Sequence, residues 1–466
     1  MSEELSTTSE TARLLELEKQ YCSYGDTVHY ATNPTIFERC EGSYLWDDAG
    51  SQYLDLQMWY SAVNLGYSNP TISNALKAQI DILPQIASQY LHKGKIELST
   101  KIAQANQQRF GEKGRVHFNV GGAQAVEDAL KMVRRETGSN LVFAYKGGYH
   151  GRTIAVSAIT SSYRYRSRFG HFGDRAMFID FPYTFRPAEP GISDFTDYYV
   201  SQFKRLFESE YFGVYDHQND LTEYRAFFVE PIQGTGGYII PPKNYFKELK
   251  SVLDEHRILL VVDEIQMGFY RTGKLWGIEH FDVTPDILIF GKALSNGMNP
   301  LSGIWAKEKL INPTVFPPGS THSTFASNPL GTAPGLAVLE YFENWPNLEA
   351  DIAKKGEYFM NKLRALKDEF PGIVGNVDGL GLALHIEICE DDGFTPSRDR
   401  ADFMFNQGLE ADLDRDGQKY GLVLDIGGYY KNIITLAPSL LITEAEMDMA
   451  HEFLRQLLTR IKHLPT

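Results

Sequence analysis

The chain has 466 residues and carries 45 Lys and Arg against 60 Asp and Glu, which gives a formal net charge of −15 at pH 7. This charge argues against a nucleic acid or an anionic membrane surface as a partner, and a chain of this length can bury a large core. The three cysteines, Cys22, Cys40 and Cys389, are scattered and odd in number, so they predict neither a disulfide framework nor a zinc site.

The N-terminal region is polar and acidic. Residues 1 to about 10 are rich in Ser, Thr and Glu, so we expect them to be disordered. No apolar run is long enough to span a bilayer, and the start of the chain lacks the features of a signal or transit peptide. We therefore expect a cytoplasmic protein without a membrane partner.

The first structured elements predicted are a helix and a β-hairpin. Residues 11–21 have helical spacing, and two short alternating runs between Gly42 and Leu56 predict a hairpin about the turn at 47–50. Trp59 follows the hairpin. Its ring either lines a pocket or packs beneath a loop, and the sequence alone favours neither use.

A strand–glycine–helix unit comes next in the chain. A strand over 115–120 leads into Gly121, Gly122 and Ala123, and an amphipathic helix follows. Glycines between a strand and a helix leave backbone N–H groups free at the helix N-terminus, which favours an anion there. The alternative is that these glycines serve only the turn.

The next strand also leads into polar and aromatic residues. A strand over 141–144 is followed by Tyr149, His150 and Arg152. A tyrosine in this position can stack on a flat ring, and an arginine can pair with a carboxylate. Taken alone, the pattern favours a packed tyrosine, a structural histidine and a solvated arginine. A further strand over 226–229 leads to Glu230 and a glycine-rich loop.

The most informative stretch runs from Ile258 to Pro300. Two aliphatic runs, 258–262 and 287–290, read as buried parallel strands and lead to Asp263 and Lys292 respectively. Ligands of open α/β sheets lie beyond the carboxyl ends of the strands, so an acid and a lysine are expected at one edge.

This pairing of an acid and a lysine suggests a particular chemistry. A desolvated lysine is an amine nucleophile towards a carbonyl group or pyridoxal phosphate, and an aspartate at the pyridine nitrogen keeps that ring protonated. An ordinary surface lysine and a helix-capping aspartate are the alternative reading of Lys292 and Asp263.

The remaining elements suggest a second, smaller domain. A strand over 301–306 and a hydroxyl-rich loop containing Thr324 precede a helix over 330–345, and Thr324 serves either a phosphate or a plain turn. A helix over 348–370, strands over 380–388, 422–424 and 433–436, and a closing helix over 444–461 follow. We expect an N-terminal arm and hairpin segment at 1–65, a large domain at 66–330 and a small α+β domain at 331–466.

Several motifs occur in an order that resembles a known family. GSYLWDDAGSQYLDL, GGAQAVEDALK, YHGRT, EPIQG, DEIQMGFYRTG, PDILIFGKALSNG, STFASNPL and APSLLIT follow one another along the chain. This series resembles the class III pyridoxal-phosphate aminotransferases, the group of 4-aminobutyrate, ornithine and diaminobutyrate aminotransferases. The resemblance extends from about Gly42 to Thr443 and implies the type I pyridoxal-phosphate transferase fold, an α/β fold with a large, mostly parallel sheet and a smaller C-terminal domain.

The resemblance implies a role for each residue near the cofactor ring. Lys292 would form the aldimine, a Schiff base, with pyridoxal 5′-phosphate and then move a proton between substrate and cofactor. Asp263 would pair with the pyridinium nitrogen, and Gln266 would bond the phenolic oxygen. Tyr149 would stack on one face of the ring, and Ile265 would pack against the other.

The resemblance also implies a phosphate site and a dimer. Gly122 and Ala123 would donate backbone N–H groups to the phosphate, and Glu230 would support the site near the ring. Thr324 would reach the phosphate of the neighbouring subunit, so a homodimer with shared active sites is implied. The implied partners are small-molecule amines and carbonyl compounds, with no metal.

Two departures from the family pattern concern the substrate. Many members carry a glutamate after the EPxQG motif and an arginine before the APP segment, and this arginine binds the α-carboxylate of the substrate. Thr235 and Thr435 stand at those positions here. Both partners of the ion pair are absent together, whereas the loss of only one would leave the other as an unpaired buried charge. Arg152 remains as a carboxylate contact, while Trp59 is a candidate lining residue.

The sequence therefore predicts an aminotransferase whose donor is an ω-amine or a non-standard amine and whose acceptor is an aldehyde or keto acid. An aminomutase or an amino-acid racemase of the same family is the first alternative. A non-catalytic relative is a further alternative, although Lys292 and Asp263 are both present. A nucleotide-binding enzyme lacks support, because neither GxGxxG after an early strand nor GxxxxGK[ST] occurs.

Overall fold

A seven-stranded sheet forms the centre of the molecule. The computed structural model describes residues 10–23, 25, 31–166, 169 and 176–463. The strand order across this sheet is Gly114–Asn119, Ser302–Lys307, Ile287–Phe290, Leu259–Asp263, Tyr224–Val229, Leu141–Tyr145 and Met177–Ile179. Only Ser302–Lys307 runs antiparallel to its neighbours, and the other pairs in this sheet are parallel.

Both faces of this sheet are buried, which is why its strands are continuously aliphatic. In the strand Leu259–Asp263, Leu260 and Val262 belong to one apolar cluster while Val261 belongs to another. Alternate residues of a strand point to opposite faces, so one run of five residues contributes to two cores. The two aliphatic runs predicted to be parallel are paired, with Val261 opposite Ile287.

Helices cover the sheets and connect the strands. Their bounds are Glu10–Tyr21, Pro70–Ile82, Lys93–Phe110, Gly122–Thr137, Ile154–Ile159, Phe195–Arg205, Tyr245–Glu255, Glu308–Ile311, Pro329–Glu343, Leu348–Glu369, Arg398–Leu409 and Glu444–Lys462. Met58–Ser61 forms a short turn in which all four residues have positive φ. Within the described ranges, the helices lack the combination of length and apolar character that crossing a bilayer requires.

The C-terminal part of the chain contributes strands to two smaller sheets. A five-stranded sheet has the order Phe37–Glu41, Tyr44–Asp47, Gln52–Asp55, Gln418–Val423 and Leu413–Arg415. A four-stranded sheet has the order Val374–Leu380, Ala383–Ile388, Ile433–Leu436 and Asp425–Gly427. Tyr215–Asp216 and Leu221–Thr222 form a separate pair. The predicted hairpin therefore joins C-terminal strands in one sheet, with Gln52–Asp55 parallel to Gln418–Val423.

Some predicted elements differ from the structure. The predicted strand over 380–388 is a hairpin, because Gly381 takes a positive φ of 58° between Val374–Leu380 and Ala383–Ile388. The disorder expected at 1–10 concerns residues that, apart from Glu10, lie outside the described ranges. The division at 65 and 330 stays a prediction.

Candidate active site

Most of the predicted site residues meet in one cavity at the carboxyl edge of the large sheet. The cavity has a volume of about 500 Å³. The predicted residues that line it are Gly122, Ala123, Tyr149, Arg152, Glu230, Asp263, Ile265, Gln266 and Lys292, and His150, Gly151 and Thr153 complete the lining. Strand ends and the loops after them supply these side chains, as expected for a ligand site of an open α/β sheet.

Lys292 lies in a strained backbone position beside buried carboxylates. It follows the strand Ile287–Phe290 and Gly291, and its φ of 40° is unusual for a residue with a side chain. Burial lowers the pKa of the Lys292 ammonium to about 8, while Asp263 and Glu230 act in the opposite direction. Near pH 8 the neutral form of this amine is therefore about as abundant as the charged form, and a neutral amine is the nucleophilic form.

A buried histidine holds the carboxylate of Asp263. Asp263 ends its strand, and its Oδ2 atom lies 2.8 Å from Nδ1 of His150. Burial disfavours the imidazolium of His150, but the hydrogen bond and charge of Asp263 outweigh burial and raise the pKa of His150. The backbone N–H of Ile265 donates to the other oxygen, Oδ1, at 3.1 Å. Asp263 is thus fixed in orientation.

His150 is the site residue that the sequence alone did not identify. A lone histidine in a loop is read as structural, and only its place inside the YHGRT motif marked it. In the structure it is 3% exposed and lies between the end of the strand Leu141–Tyr145 and Asp263. Its contact with the neighbouring strand end requires tertiary structure, which spacing does not reveal.

Glu230 links two loops of the cavity. Its Oε1 atom accepts from the backbone N–H of Tyr149 at 2.8 Å, and its Oε2 atom accepts from that of Gly234 at 2.9 Å. Burial raises the pKa of Glu230 to about 7, although the nearby His150 opposes this shift. The side chain thereby fixes the loop carrying Tyr149 against the glycine-rich loop that follows Glu230.

The start of the helix Gly122–Thr137 forms an anion site on one wall. Gly121 is its N-cap, and no described side chain caps the helix. The first backbone N–H groups therefore lack an internal acceptor and suit a phosphate. Gly122 also permits close packing, because a Cβ atom there would lie 2.8 Å from Cδ1 of Ile265. Ile265 consequently packs tightly beneath the helix start.

Gln266 is held in place by hydrogen bonding and by a nearby glycine. Its Nε2 atom donates to the hydroxyl of Tyr238 at 3.0 Å. A Cβ atom on Gly234 would lie only 2.2 Å from Oε1 of Gln266 and 3.0 Å from Oε2 of Glu230. Gly234 therefore leaves the space that both side chains occupy.

The replacement Gly234→Ala is expected to destabilise the protein by about 1–3 kcal/mol, because the added methyl group displaces Gln266 or Glu230 from a packed position. Urea denaturation of both proteins measures the difference in the free energy of unfolding. Gly121→Ala is the control, because a Cβ atom there would have no described atom within 4 Å apart from its own chain neighbours and helix backbone. A change within about 0.5 kcal/mol is therefore expected. Equal stabilities of the two variants would contradict this packing.

Tyr149 and Arg152 form the outer wall of the cavity. The ring of Tyr149 meets Tyr165 edge-on, with centroids 5.4 Å apart. The guanidinium carbon of Arg152 lies 4.4 Å from the Tyr165 ring centroid and 5.8 Å from that of Tyr149. Arg152 is exposed at this mouth, so it can meet a ligand carboxylate there.

The other predicted site residues lie outside this lining. Trp59 is 54% exposed, and its ring packs near Gly297. Thr324 is exposed in a loop and does not line the cavity. Thr235 lines a neighbouring cavity of about 550 Å³. Thr435 is buried and donates a hydrogen bond to Asp425 at 2.9 Å.

Thr235 and Thr435 nevertheless come close to each other, as the family pattern implies for this pair of positions. A Cβ atom on Gly427 would lie 3.1 Å from Cγ2 of Thr435 and 3.4 Å from the carbonyl oxygen of Thr235. The two threonines thus flank one glycine. In place of a glutamate–arginine ion pair, this part of the molecule contains two threonines and the carboxylate of Asp425.

Comparisons with known proteins agree with this architecture. The family model described as "Aminotransferase class-III" matches residues 27–458. An ornithine aminotransferase of Exiguobacterium is 31% identical over 97% of this chain and 98% of its own length. An alanine/serine racemase of Pyrococcus horikoshii is also 31% identical, over 95% of this chain and 89% of its own length.

Solved structures show the same fold. An aminotransferase of Bacillus anthracis superposes with a TM-score of 0.84 at 27% identity, covering 97% of this chain and 99% of that chain. An omega-transaminase of Thermomicrobium roseum has a TM-score of 0.84 at 24% identity, over 97% of this chain and 99% of that chain, and shows the fold alone. These matches confirm the predicted fold class.

Proposed function

The chain belongs to the class III aminotransferases and is an enzyme of that family, and from this premise we propose that it binds pyridoxal 5′-phosphate at Lys292 and takes amino groups from ω-amines or non-standard amines. The acceptor is an aldehyde or a keto acid. The observation that carries the proposal is the meeting of Lys292, the Asp263–His150 pair and a helix N-terminus in one cavity.

The chemistry of these residues fits this cofactor. The backbone N–H groups of Gly122 and Ala123 suit its phosphate, and the carboxylate of Asp263 suits a protonated ring nitrogen. Gln266 would donate to the phenolic oxygen, while Tyr149 and Ile265 would flank the ring. The cavity of about 500 Å³ has room for such a group beside Lys292.

When bound, pyridoxal phosphate supplies an aldehyde that takes up the amino group and a ring that withdraws electrons from the substrate carbon. Asp263, oriented by His150, would hold the proton at the ring nitrogen. Lys292 would hold the cofactor covalently before reaction and then carry a proton away from the substrate carbon. Glu230 would keep the loop of Tyr149 closed over the site.

The donor preference follows from Thr235 and Thr435. An arginine at residue 435 would suit an α-carboxylate, whereas Thr435 donates to Asp425 and offers no cation. Arg152 at the cavity mouth is the remaining contact for a carboxylate. A screen of amino donors tests this preference. Glutamate acting as well as the best ω-amine, with no change in Thr435→Arg, would contradict it.

We further propose a cytoplasmic homodimer with shared active sites, on the basis of the family. Thr324, exposed and outside the cavity of its own chain, is available to contact the phosphate in a second subunit. Trp59 lies exposed near Gly297, where a partner can cover it. Light scattering of the purified protein measures the assembly, and a monomer at all concentrations would contradict shared sites.

A racemase or an aminomutase is the second candidate. The similarity to an alanine/serine racemase over most of the chain favours it, together with the absence of the usual carboxylate clamp. Such an enzyme needs no external amino acceptor. The need for an acceptor therefore separates the two candidates.

Cofactor capture by the apo-protein is expected to accelerate as the pH rises from 7 to 9. The pKa of Lys292 is lowered to about 8, so the neutral, nucleophilic amine increases as the pH rises through that value and then reaches a plateau. Stopped-flow absorption after mixing apo-protein with pyridoxal phosphate measures this rate at each pH.

The variant Glu230→Gln tests whether the pKa of Lys292 sets the pH dependence of cofactor capture. The Glu230 carboxylate raises the pKa of Lys292, so its removal is expected to move the midpoint of the rate profile to lower pH. Glu210→Gln is the matched control, because Glu210 lies in an exposed short helix and the profile is expected to stay unchanged. A midpoint near the ordinary lysine value in the unmodified protein would contradict the proposed environment of Lys292.

A further inference from the structure

Asp425 places a carboxylate beside residue 435, the position at which the family pattern has an arginine. It begins the short strand Asp425–Gly427 and lies directly opposite Thr435 in an antiparallel pair. Residues in such register present their side chains on the same face of the sheet. Thr435 Oγ1 accordingly donates to Oδ2 of Asp425 at 2.9 Å.

Within the described ranges, the hydrogen-bond partners of the Asp425 carboxylate are all neutral. Besides Thr435, Gln57 approaches it, with Nε2 lying 3.4 Å from Oδ1. Among the described residues, no ion pair joins Asp425 to a lysine or an arginine, although the charge of Lys431 acts on it from farther away. Burial raises the pKa of Asp425, so its charged form lacks full compensation.

Asp425 is close enough to the candidate active site to act on it. The end of its strand packs against the loop that follows Glu230, because the backbone N–H of Gly428 donates to the carbonyl oxygen of Thr235 at 3.0 Å. The charge of Asp425 also acts on the Lys292 ammonium and on the hydroxyl of Tyr238. That hydroxyl accepts from Gln266, which lines the cavity. Part of the surface of Asp425 remains accessible.

Resting on the proposed function, we infer that Asp425 determines donor specificity by receiving a second, cationic group of the amino donor. The preferred donor is then a diamine, which reacts through one amino group and presents its other ammonium to Asp425. A carboxylate at that end of the donor would meet like charge. The Thr435 hydroxyl and the Gln57 amide orient the carboxylate towards the incoming ammonium.

The physical reason lies in the cost of a buried charge. A partly buried carboxylate without a cation is unfavourable, and an ammonium from the ligand supplies the missing partner. Hydrogen bonds between charged groups are about twice as strong as neutral ones. We therefore expect a preference of about 10- to 100-fold in kcat/KM for a diamine over an amine of equal length without the second charge.

The test uses the enzyme loaded with pyridoxal phosphate and three donors of matched length. Butane-1,4-diamine, pentan-1-amine and 5-aminopentanoate differ only in an ammonium, a methyl or a carboxylate at the far end. The same three donors with chains one and two carbons shorter or longer cover a range of distances between Lys292 and Asp425. Single-turnover rates at several donor concentrations give the apparent affinity and the limiting rate for each.

Asp425→Asn keeps the shape and hydrogen bonding of the side chain but removes its charge. The diamine preference is expected to fall to about 1–3-fold, chiefly through a weaker apparent affinity for the diamine. The lower pKa of Lys292 that follows from the lost charge is expected to change the rates of all three donors alike. Asp416→Asn at an exposed hairpin turn removes the same charge elsewhere and is expected to keep the full preference. Thr435→Arg is expected to reverse the order in favour of 5-aminopentanoate.

The outcomes separate this inference from the proposed function. Transfer from none of the donors, despite bound cofactor, would overturn the proposed function itself. If the unmodified enzyme transfers amino groups without preferring a diamine at any chain length, the role of Asp425 is overturned and the proposed function is not. This outcome needs only the unmodified enzyme, so it holds even if Asp425→Asn fails to fold. A preference for 5-aminopentanoate would instead indicate a cation, such as Arg152 at the cavity mouth, as the anchor and would also overturn the role of Asp425.

Discussion

Replacing Lys292 with alanine is expected to slow amino transfer by at least about 10³-fold. In the proposed function this side chain both holds the cofactor and carries the proton from the substrate carbon. A positioned acid–base group alone contributes about 10²- to 10⁴-fold to the rate. Its pKa of about 8 leaves the charged and neutral forms of the amine about equally populated near pH 8. No other described lysine lines this cavity.

Absorption spectra and single-turnover rates of the Lys292→Ala protein measure both effects. The spectrum with added pyridoxal phosphate is expected to resemble that of the free cofactor, and the rate is expected to fall. Lys307→Ala is the matched control, because Lys307 is also partly buried on this sheet and pairs with Asp286 away from the cavity. A rate above a tenth of the original in Lys292→Ala would contradict its role.

Asp263→Asn is expected to reduce the rate by about 10²- to 10⁴-fold with little loss of cofactor binding. The amide retains the shape of the carboxylate but does not stabilise a protonated ring nitrogen. Loss of its charge also lowers the pKa of His150 and of Lys292, since Asp263 raises both. A shift of the pH profile to lower values is therefore expected together with the loss of rate.

The control for this variant is a carboxylate elsewhere on the same sheet. Asp286 is buried and accepts from the backbone N–H of Leu260 at 2.9 Å. Asp286→Asn is expected to lower stability while leaving the rate per folded enzyme and its pH profile unchanged. If Asp263→Asn retained the full rate and the original pH profile, Asp263 would have no electrostatic role at the ring.

Much of the large sheet follows from the sequence. The strands ending at Asp263 and Phe290 are continuous aliphatic runs, and burial on both faces requires that composition. Their parallel pairing then brings Asp263 and Lys292 to one edge. The helix after Gly121 is amphipathic, so its position beside the sheet was also predictable.

Strands that form only by pairing with another segment of the chain were not predicted in full. Asp425–Gly427 has only three residues, too few for a periodic pattern, and it is a strand because Ile433–Leu436 pairs with it. Val374–Leu380 contains glycines that interrupt its pattern. The parallel pairing of Gln52–Asp55 with Gln418–Val423 joins segments far apart in the chain.

The same limit applies to individual site residues. Motifs identify Lys292 and Asp263 because each follows a strand, but the contact of His150 with Asp263 joins two separate loops. Asp425 belongs to none of the motifs, and its closeness to the site depends on how the small sheet packs. The absence of an arginine at residue 435 was readable from the sequence, whereas the carboxylate near it was not.

One measurement tests the central claim, net amino transfer, most directly. The enzyme loaded with pyridoxal phosphate is mixed with one equivalent of an amino donor and no acceptor, and both the carbonyl product and the cofactor absorption are followed. We predict one carbonyl product per active site and loss of the absorption band, which an added keto acid or aldehyde restores. A donor that is isomerised without any carbonyl product, while the band persists, would contradict the claim.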